Sequence, residues 1–573
     1  SVDGETWDVL ADATQFSRAP GLPTYNQFDA IDFKGAAAKY VRLNIQSNWG
    51  GILMSYGLSE VQFSMIPVRV RTPEPGSGSV DLAPDTVMTW RAGRDVDHHV
   101  IYASTDVNAV VDGTAPSVTS STNSLDLASL DLLLGQTYYW RVDEVNDAQA
   151  VSAWDGPVWS FSTPGALIVD DFEGYKNTSP DRPFQTWLDG FGYSADEFFP
   201  VEYGGNGSGS GVGHDIWSLS SPHYDGTIME TAITLPGSGQ SMPVYYNNAT
   251  STAISEATRN FAVPQNWAQA GIKGLKLSFH GDPGNTATTM YLKINGTQVD
   301  YTGGAASIQQ KPWHTWYVDL TGLAGVNLES VTELILGFKG GQGVVTFDDI
   351  VLTPLDRQRV TPAEPSATGL EAHYAFEGNT TDSTGTNSLT AEGIPSYVAG
   401  MEGQAIKLNG VGDYVSVETS IALPTYTAAL WLRVEGGTGN RDVLSLYDVA
   451  GGFGTLIEIT GSGQIRYLHR FPLGNAGGQS VFSDPGYDDG AWYHMAAVKT
   501  DTSMSLYVNG LLVGSVDDAT QSETLQRITL GVLKHDNLQR YFPGEFDEVY
   551  LYSRALSQDE IAWLAGRTGP FDK

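Results

Sequence analysis

Carboxylates recur in two closely matched phrases late in two long stretches of this chain. One is Thr346-Phe347-Asp348-Asp349-Ile350-Val351-Leu352 and the other is Glu545-Phe546-Asp547-Glu548-Val549-Tyr550-Leu551-Tyr552. Each answers an acidic opening, Val169-Asp170-Asp171-Phe172-Glu173-Gly174 in the first stretch and Tyr374-Ala375-Phe376-Glu377-Gly378 in the second. If the opening and closing segments pair as strands, their carboxylates meet at one edge. Such an edge suits Ca²⁺, which takes about six to eight hard oxygens from carboxylates and carbonyls. The candidate metal ligands are Asp171, Glu173, Asp348 and Asp349 in one stretch, and Glu377, Asp382 and Asp547 in the other. The alternative is that these residues cap turns or face solvent, as most acidic residues do.

A second chemistry is stacking on sugar faces, which needs exposed aromatic rings beside polar groups. Tyr193, Phe198, Tyr203 and Trp217 fall in a long irregular region between Leu188 and Leu219. Irregular segments of that length in a compact module are often functional. Tyr467, His469 and Arg470 lie on a strand before the Gly-rich stretch from Gly474 to Gly478 and form a second candidate group. For any single ring, packing in the core is the competing reading.

Other chemistries find no residues. The chain has no cysteine, which excludes thiol catalysis, disulfides and thiolate metal sites. Gly207-Ser208-Gly209-Ser210-Gly211 reads as a flexible loop, because it has no triad partners, no Lys and no following helix. His98 and His99 are adjacent on an apparent strand, so they point to opposite faces and do not share a metal.

The elements that must position these residues are strands. Lys39 to Ile45, Tyr138 to Val142, Met290 to Ile294 and Ser505 to Val508 alternate apolar with polar residues and are rich in aromatic and β-branched types. Asn295-Gly296 and Asn509-Gly510 predict two-residue type I′ hairpin turns. One helix is expected, Ser557 to Leu564, with Ser557 and Glu560 as a capping box. The fold class is therefore all-β, as tandem β-sandwiches. Clusters of Pro and Gly at Arg71–Gly76, Ser162–Gly165 and Leu355–Thr368 divide the chain into residues 1–70, 71–164, 165–356 and 369–566.

Lys plus Arg number 31 and Asp plus Glu 66, a net charge of −35 over 573 residues. That charge repels nucleic acid and anionic membranes, and suits salty or Ca²⁺-bearing surroundings. No apolar run reaches the roughly 18 residues of a membrane span. No signal peptide is seen, and Ser1 lies in what reads as folded sequence, so an upstream segment is expected.

Particular phrases resemble known families. Leu370 to Glu377, Ala405-Ile406-Lys407-Leu408-Asn409-Gly410-Val411-Gly412-Asp413-Tyr414-Val415, Ala491-Trp492-Tyr493-His494 and Gly544 to Ser557 resemble the laminin-G-like, concanavalin-type jelly rolls of bacterial secreted proteins. That resemblance implies a two-sheet sandwich that binds glycans or proteins and often holds Ca²⁺. Thr89-Trp90 with Tyr138-Tyr139-Trp140-Arg141-Val142-Asp143 is similar to a fibronectin-type-III-like, immunoglobulin-like sandwich, which implies a spacer. Ser1 to Trp7, Tyr40 to Leu43 and Gly57 to Phe63 resemble the C-terminal half of a discoidin domain, without that family's N-terminal half and metal loop. Residues 165–356 resemble the galactose-binding-like jelly rolls of carbohydrate-binding modules, by analogy with which one structural Ca²⁺ is expected there.

Concanavalin-type folds also host endoglucanases with a Glu-x-Asp-x-x-Glu or Glu-x-Asp-x-Glu strand. Glu545-Phe546-Asp547 begins that way, but Val549 and Tyr550 stand where the third carboxylate belongs. The expectation is therefore a protein that is not an enzyme. It is secreted or held at a bacterial surface, binds glycans or surface proteins, and carries structural calcium. Self-association through open strand edges, or service as the accessory region of a carbohydrate-active enzyme, are the rival readings.

Overall fold

The computed structural model describes residues 1–573 apart from 11–14, 34, 35, 37, 51–55, 59, 66, 250–253, 449–451, 475, 522, 523 and 534–537, and apart from the side chains of 453, 524 and 525. Ser59 and Asn475, which belong to phrases singled out above, lie outside the described residues. The chain forms two compact units, Ser1–Val68 and Arg69–Lys573.

In the first unit none of the described residues is in a strand. The strand expected at Lys39 to Ile45 is therefore corrected. Its alternation is real, but a strand exists only when its backbone N–H and C=O groups find a partner, and no ladder forms around it among the described residues. Tyr40, Val41, Leu43 and Ile45 stay exposed.

The second unit is built from antiparallel sheets. Its first sandwich sets Arg71–Glu74, Val87–Arg91 and Ser124–Asp126 against a sheet of Ser117–Ser120, His98–Ser104, Thr137–Val145, Ala153–Trp154 and Trp159–Ser162. Trp90, Trp140, Trp159 and Phe161 fill the space between them. His99 is buried beside Glu144 while His98 meets Asp97, so the two imidazoles do part to opposite faces.

The next sandwich packs a five-stranded sheet on a six-stranded one. Thr289–Ile294 turns through Asn295 and Gly296, both at positive φ, into Thr297–Asp300, with Ile294 opposite Thr297. This is the two-residue turn whose twist matches the flanking strands. Asn509 and Gly510 do the same between Ser503–Val508 and Leu511–Asp517 in the last sandwich. That sandwich packs an eight-stranded sheet on a seven-stranded one around a continuous core that includes Tyr374, Phe376, Tyr426, Tyr467 and Phe546. The helix Gln558–Leu564 carries the expected reciprocal cap between Ser557 and Glu560.

Opening and closing strands are neighbours in both large sandwiches. Leu167–Asp170 pairs with Gln342–Thr353, placing Asp170 opposite Ile350. Leu370–Tyr374 pairs with Pro543–Tyr552, placing Tyr374 opposite Val549. Between residues 356 and 368 the chain is more than a spacer. Arg359–Val360 pairs with Phe571–Asp572, so residues beyond 566 return to the junction. Among the described residues no helix is long and apolar enough to cross a membrane.

Candidate functional site

The two acidic edges share one local architecture. In each closing strand the ladder slips by one residue, between the partners of Lys276 and Ser278 in one sandwich and of Ala429 and Trp431 in the other. The residue at the slip is left-handed, Asp349 at φ 47° and Glu548 at φ 47°. A bulge of this kind re-aims the side chains beside it. Here it leaves Asp348 and Asp547 wholly buried. In each opening segment the Phe before the Glu is also left-handed, Phe172 at φ 60° and Phe376 at φ 53°, which turns Glu173 and Glu377 back toward the sandwich.

Glu173 Oε1 accepts the Gly239 N–H at 2.8 Å, and Glu377 Oε1 accepts the Gln404 N–H at 3.0 Å. Asp348 Oδ1 accepts the Asp349 N–H at 2.9 Å. The Asp348 carboxylate faces Ser238 and the Leu235 backbone, yet its Oδ2 has no hydrogen bond of full geometry among the described residues. Burial, and next the charge of Asp349, push Asp348 up to about 7. Asp547 Oδ2 accepts the N–H groups of Met401 and Glu402 at 2.7 and 3.0 Å, and its Oδ1 is likewise buried and orphaned. Burial lifts Asp547 to about 6. Partial desolvation, followed by the charge of Asp171 and more weakly that of Glu173, raises Asp349, so these acids share one field.

An orphaned buried carboxylate oxygen is costly unless ionisation is offset by a cation or removed by a proton. Among the described residues no three His, Asp or Glu side chains stand close enough together to hold a metal ion by themselves. The donors present are hard oxygens, the type that Ca²⁺ takes. Asp382 is differently employed. Its carboxylate accepts the N–H groups of His373, Thr384, Thr386 and Asn387 and the Thr384 hydroxyl, which makes it the clamp of a turn. Glu548 is engaged by His373 Nε2 at 2.8 Å and the Tyr550 hydroxyl at 2.6 Å.

Of the aromatic candidates of residues 165–356, Tyr193, Tyr203 and Trp217 gather into one cluster, which Phe199 rather than its neighbour Phe198 joins. Phe184 stands 5.9 Å from Trp217 and 6.4 Å from Tyr193 between ring centroids, and Tyr193 in turn contacts Phe199 at 5.2 Å and Tyr203 at 5.6 Å. Phe198 and Trp217 are about half exposed, at 53% and 52%. Each exposed ring here follows the same local device. Asp189 Oδ1 accepts the Phe191 N–H at 3.0 Å, Asp196 Oδ1 accepts that of Phe198 at 2.9 Å, and Asp215 Oδ1 accepts that of Trp217 at 3.0 Å. In every case the next residue's N–H joins the same oxygen. Asp turns of this type hold a loop without a ladder, so the rings are presented on preset backbone. The Arg182 guanidinium lies 5.6 Å from the Trp217 ring centroid and flanks the exposed face. The spacing Asp-x-Phe, Asp-x-Phe, Asp-x-Trp at 189, 196 and 215 was the signal in the sequence for Asp189, Phe191, Asp196 and Asp215, all of which the reading of ring types alone passed over.

The second aromatic group is corrected. Tyr467 is fully buried and donates to the Tyr426 hydroxyl at 2.8 Å. His469 is buried with Nδ1 2.7 Å from Asp518. Arg470 donates to the carbonyls of Gly474 and Gly477 at 2.7 and 2.8 Å, fixing the Gly-rich loop from beneath. From Tyr467 to Arg470 every side chain of Ile465–Gly474 is buried, so both faces of the strand are covered there. Nor is Glu545 free for acid–base work, since it is buried and paired with Arg433 at 2.6 Å and Lys407 at 3.4 Å.

A family model described as the concanavalin A-like lectin/glucanases superfamily matches residues 409–562. This segment is a concanavalin A-like/laminin G domain, one of several β-sandwich domains in the chain. Among solved structures, domain 4 of AbnA, an extracellular arabinanase of Geobacillus stearothermophilus in complex with arabinotriose, is similar at 21% identity over 34% of this chain and 98% of that one, with a TM-score of 0.28. The receptor-binding domain of a botulinum neurotoxin C/D mosaic serotype is similar at 17% identity over 35% of this chain and 51% of that one, with a TM-score of 0.30. The binding domain of botulinum neurotoxin DC in complex with SialylT is similar at 13% identity over 35% and 51%, also at 0.30. This chain spans about half the length of each toxin domain. No curated protein matches it.

Proposed function

We propose that this chain is a non-catalytic, extracellular glycan-binding protein whose main sugar-binding surface is the aromatic ridge of Tyr193, Phe198, Tyr203 and Trp217. One observation carries the reading: the exposed rings of Phe198 and Trp217 stand on irregular backbone, each after an Asp turn, with Trp217 packed against Phe184 and so joined to the half-buried Tyr193 and Tyr203. Rings held in this way stack on sugar faces without an ordering cost at binding. The lectin/glucanases description of residues 409–562 is consistent with this function. Absence of catalysis is supported by Glu545, which is tied to two cations and buried.

Structural calcium belongs to the same proposal. No more than two of Asp171, Glu173, Asp348 and Asp349 would meet an ion at one sandwich edge, and Glu377 with Asp547 at the other, with backbone carbonyls and water supplying the remaining ligands. Bound there, Ca²⁺ supplies the countercharge that lets Asp348 and Asp547 ionise, and so stiffens the edge where the chain enters and leaves. Calorimetric titration of Ca²⁺ into the chelated chain, with melting curves, tests this part. Binding heat and a higher Tm are expected, and neither would appear if the carboxylates only cap turns. A glycan array with the intact chain and its Trp217→Ala variant tests the sugar-binding part. Blank arrays would overturn it.

A further inference from the structure

Next to the ridge lies a groove of about 420 Å³, within the usual range of small-ligand sites. Phe191 and Tyr245 supply its rings, while Asn247, Asp282 and Gln342 supply its polar side chains. Glycines at 209, 284 and 343 leave backbone uncovered in the lining. The floor is rigid. Asn285 is buried, receives hydrogen bonds from Val344 N and the Tyr246 hydroxyl at 2.8 and 3.0 Å, and donates to the carbonyls of Ile308 and Val344. Gly343 is required there, since a Cβ would stand 1.8 Å from Asn285 Oδ1. Tyr245 is fixed by a 2.7 Å hydrogen bond between its hydroxyl and His214 Nδ1. Phe191, by contrast, is 81% exposed, with one ring edge against Gly211 and the rest open, a large cost in apolar surface.

The groove and the ridge are joined through one short loop. Asp189 sets both Phe191 and Gly192, and the next residue, Tyr193, belongs to the ridge cluster. Two residues span at most about 7 Å between Cα atoms. Backbone positions so close can serve neighbouring units of one ligand. The lining also limits the ligand's charge. Among the described residues of the lining Asp282 is the only charged one, and none is a Lys or Arg that could receive an acidic sugar, on a chain of net charge −35. Carboxylate and amide groups beside rings match the hydroxyls and apolar faces of uncharged sugars.

We propose that this groove is a second sugar subsite, specific for neutral units, and that with the ridge it makes residues 165–356 read internal stretches of a neutral polysaccharide chain. This rests on the glycan-binding reading of the ridge. The test is calorimetric titration of the full chain with neutral cello-, xylo- and arabino-oligosaccharides of two to six units, with polygalacturonate as the acidic control. For at least one series affinity is expected to rise about tenfold from the shortest to the longest member, the increment of about one further ring contact. Phe191→Ala and, independently, Gln342→Ala flatten that rise, and Trp217→Ala weakens every length. Both groove residues are exposed, so unchanged melting curves are expected. Affinity that is flat with length while still dependent on Trp217 overturns the groove and leaves the ridge standing. Equal binding of polygalacturonate overturns the neutral preference. No binding of any series overturns both.

Discussion

Trp217 is the residue on which sugar binding most depends. Its ring is half exposed, backed by Phe184 and flanked by Arg182. Trp217→Ala should weaken glycan affinity about fivefold to tenfold, the range of an aromatic contact of about 1–1.5 kcal/mol, with little change in Tm. Asp348 makes an opposite kind of prediction. Burial raises it from 3.8 to about 7, so between those values the folded chain holds a proton that the unfolded chain has released. Its contribution to stability is thus present below about pH 4 and falls as pH rises through 7. In chelator, Asp348→Asn should remove that part of the pH slope and raise Tm at pH 7 relative to the parent. With Ca²⁺ present the parent's own slope should shrink, because the ion replaces the proton. Melting curves across pH 4 to 8 with and without chelator check both statements.

At the scale of elements, the Asp turns and the bulges carry the function. Asp215→Ala removes the acceptor of the Trp217 and Ser218 N–H groups. It should cost binding several-fold, in line with about 1 kcal/mol for a lost capping interaction, while Asp215→Asn keeps the acceptor and should restore it. Comparison of the two variants by titration separates turn geometry from charge. Elements were also where the sequence was most legible. Asn-Gly turns and the capping box at Ser557 follow from local residue chemistry, whereas the pairing of opening with closing strands was legible only through their matched acidic phrases. The bulges at Asp349 and Glu548 were not legible, because a one-residue slip in register depends on the partner strand. The burial of Tyr467 was not legible for a related reason: a position on a strand does not show whether its face meets solvent or a second layer.

At the scale of the whole molecule, the two large sandwiches are tied together. Lys311 reaches Asp489 at 2.8 Å and the Gly486 carbonyl, and Arg567 donates to Gln310 at 2.6 Å. Asp572, nearly at the C-terminus, accepts from Arg357 at 2.6 Å and from the Tyr317 N–H at 2.9 Å. Pro-bearing sequence between residues 355 and 368 does not by itself show hinge or strut, since the residues that decide it lie far away in the chain. With these contacts intact the two sandwiches should melt in one calorimetric transition. Lys311→Ala combined with Asp572→Ala should split it in two, and an unchanged single transition would show that the contacts do not couple them.

Sugar binding by this chain stands on the ridge. Isothermal titration of neutral oligosaccharides into the full chain, beside the Phe198→Ala/Trp217→Ala double variant at matched Tm, tests it most directly. We expect saturable binding by the parent and its loss in the variant. Binding that survives removal of both rings, or no binding by the parent, would contradict it.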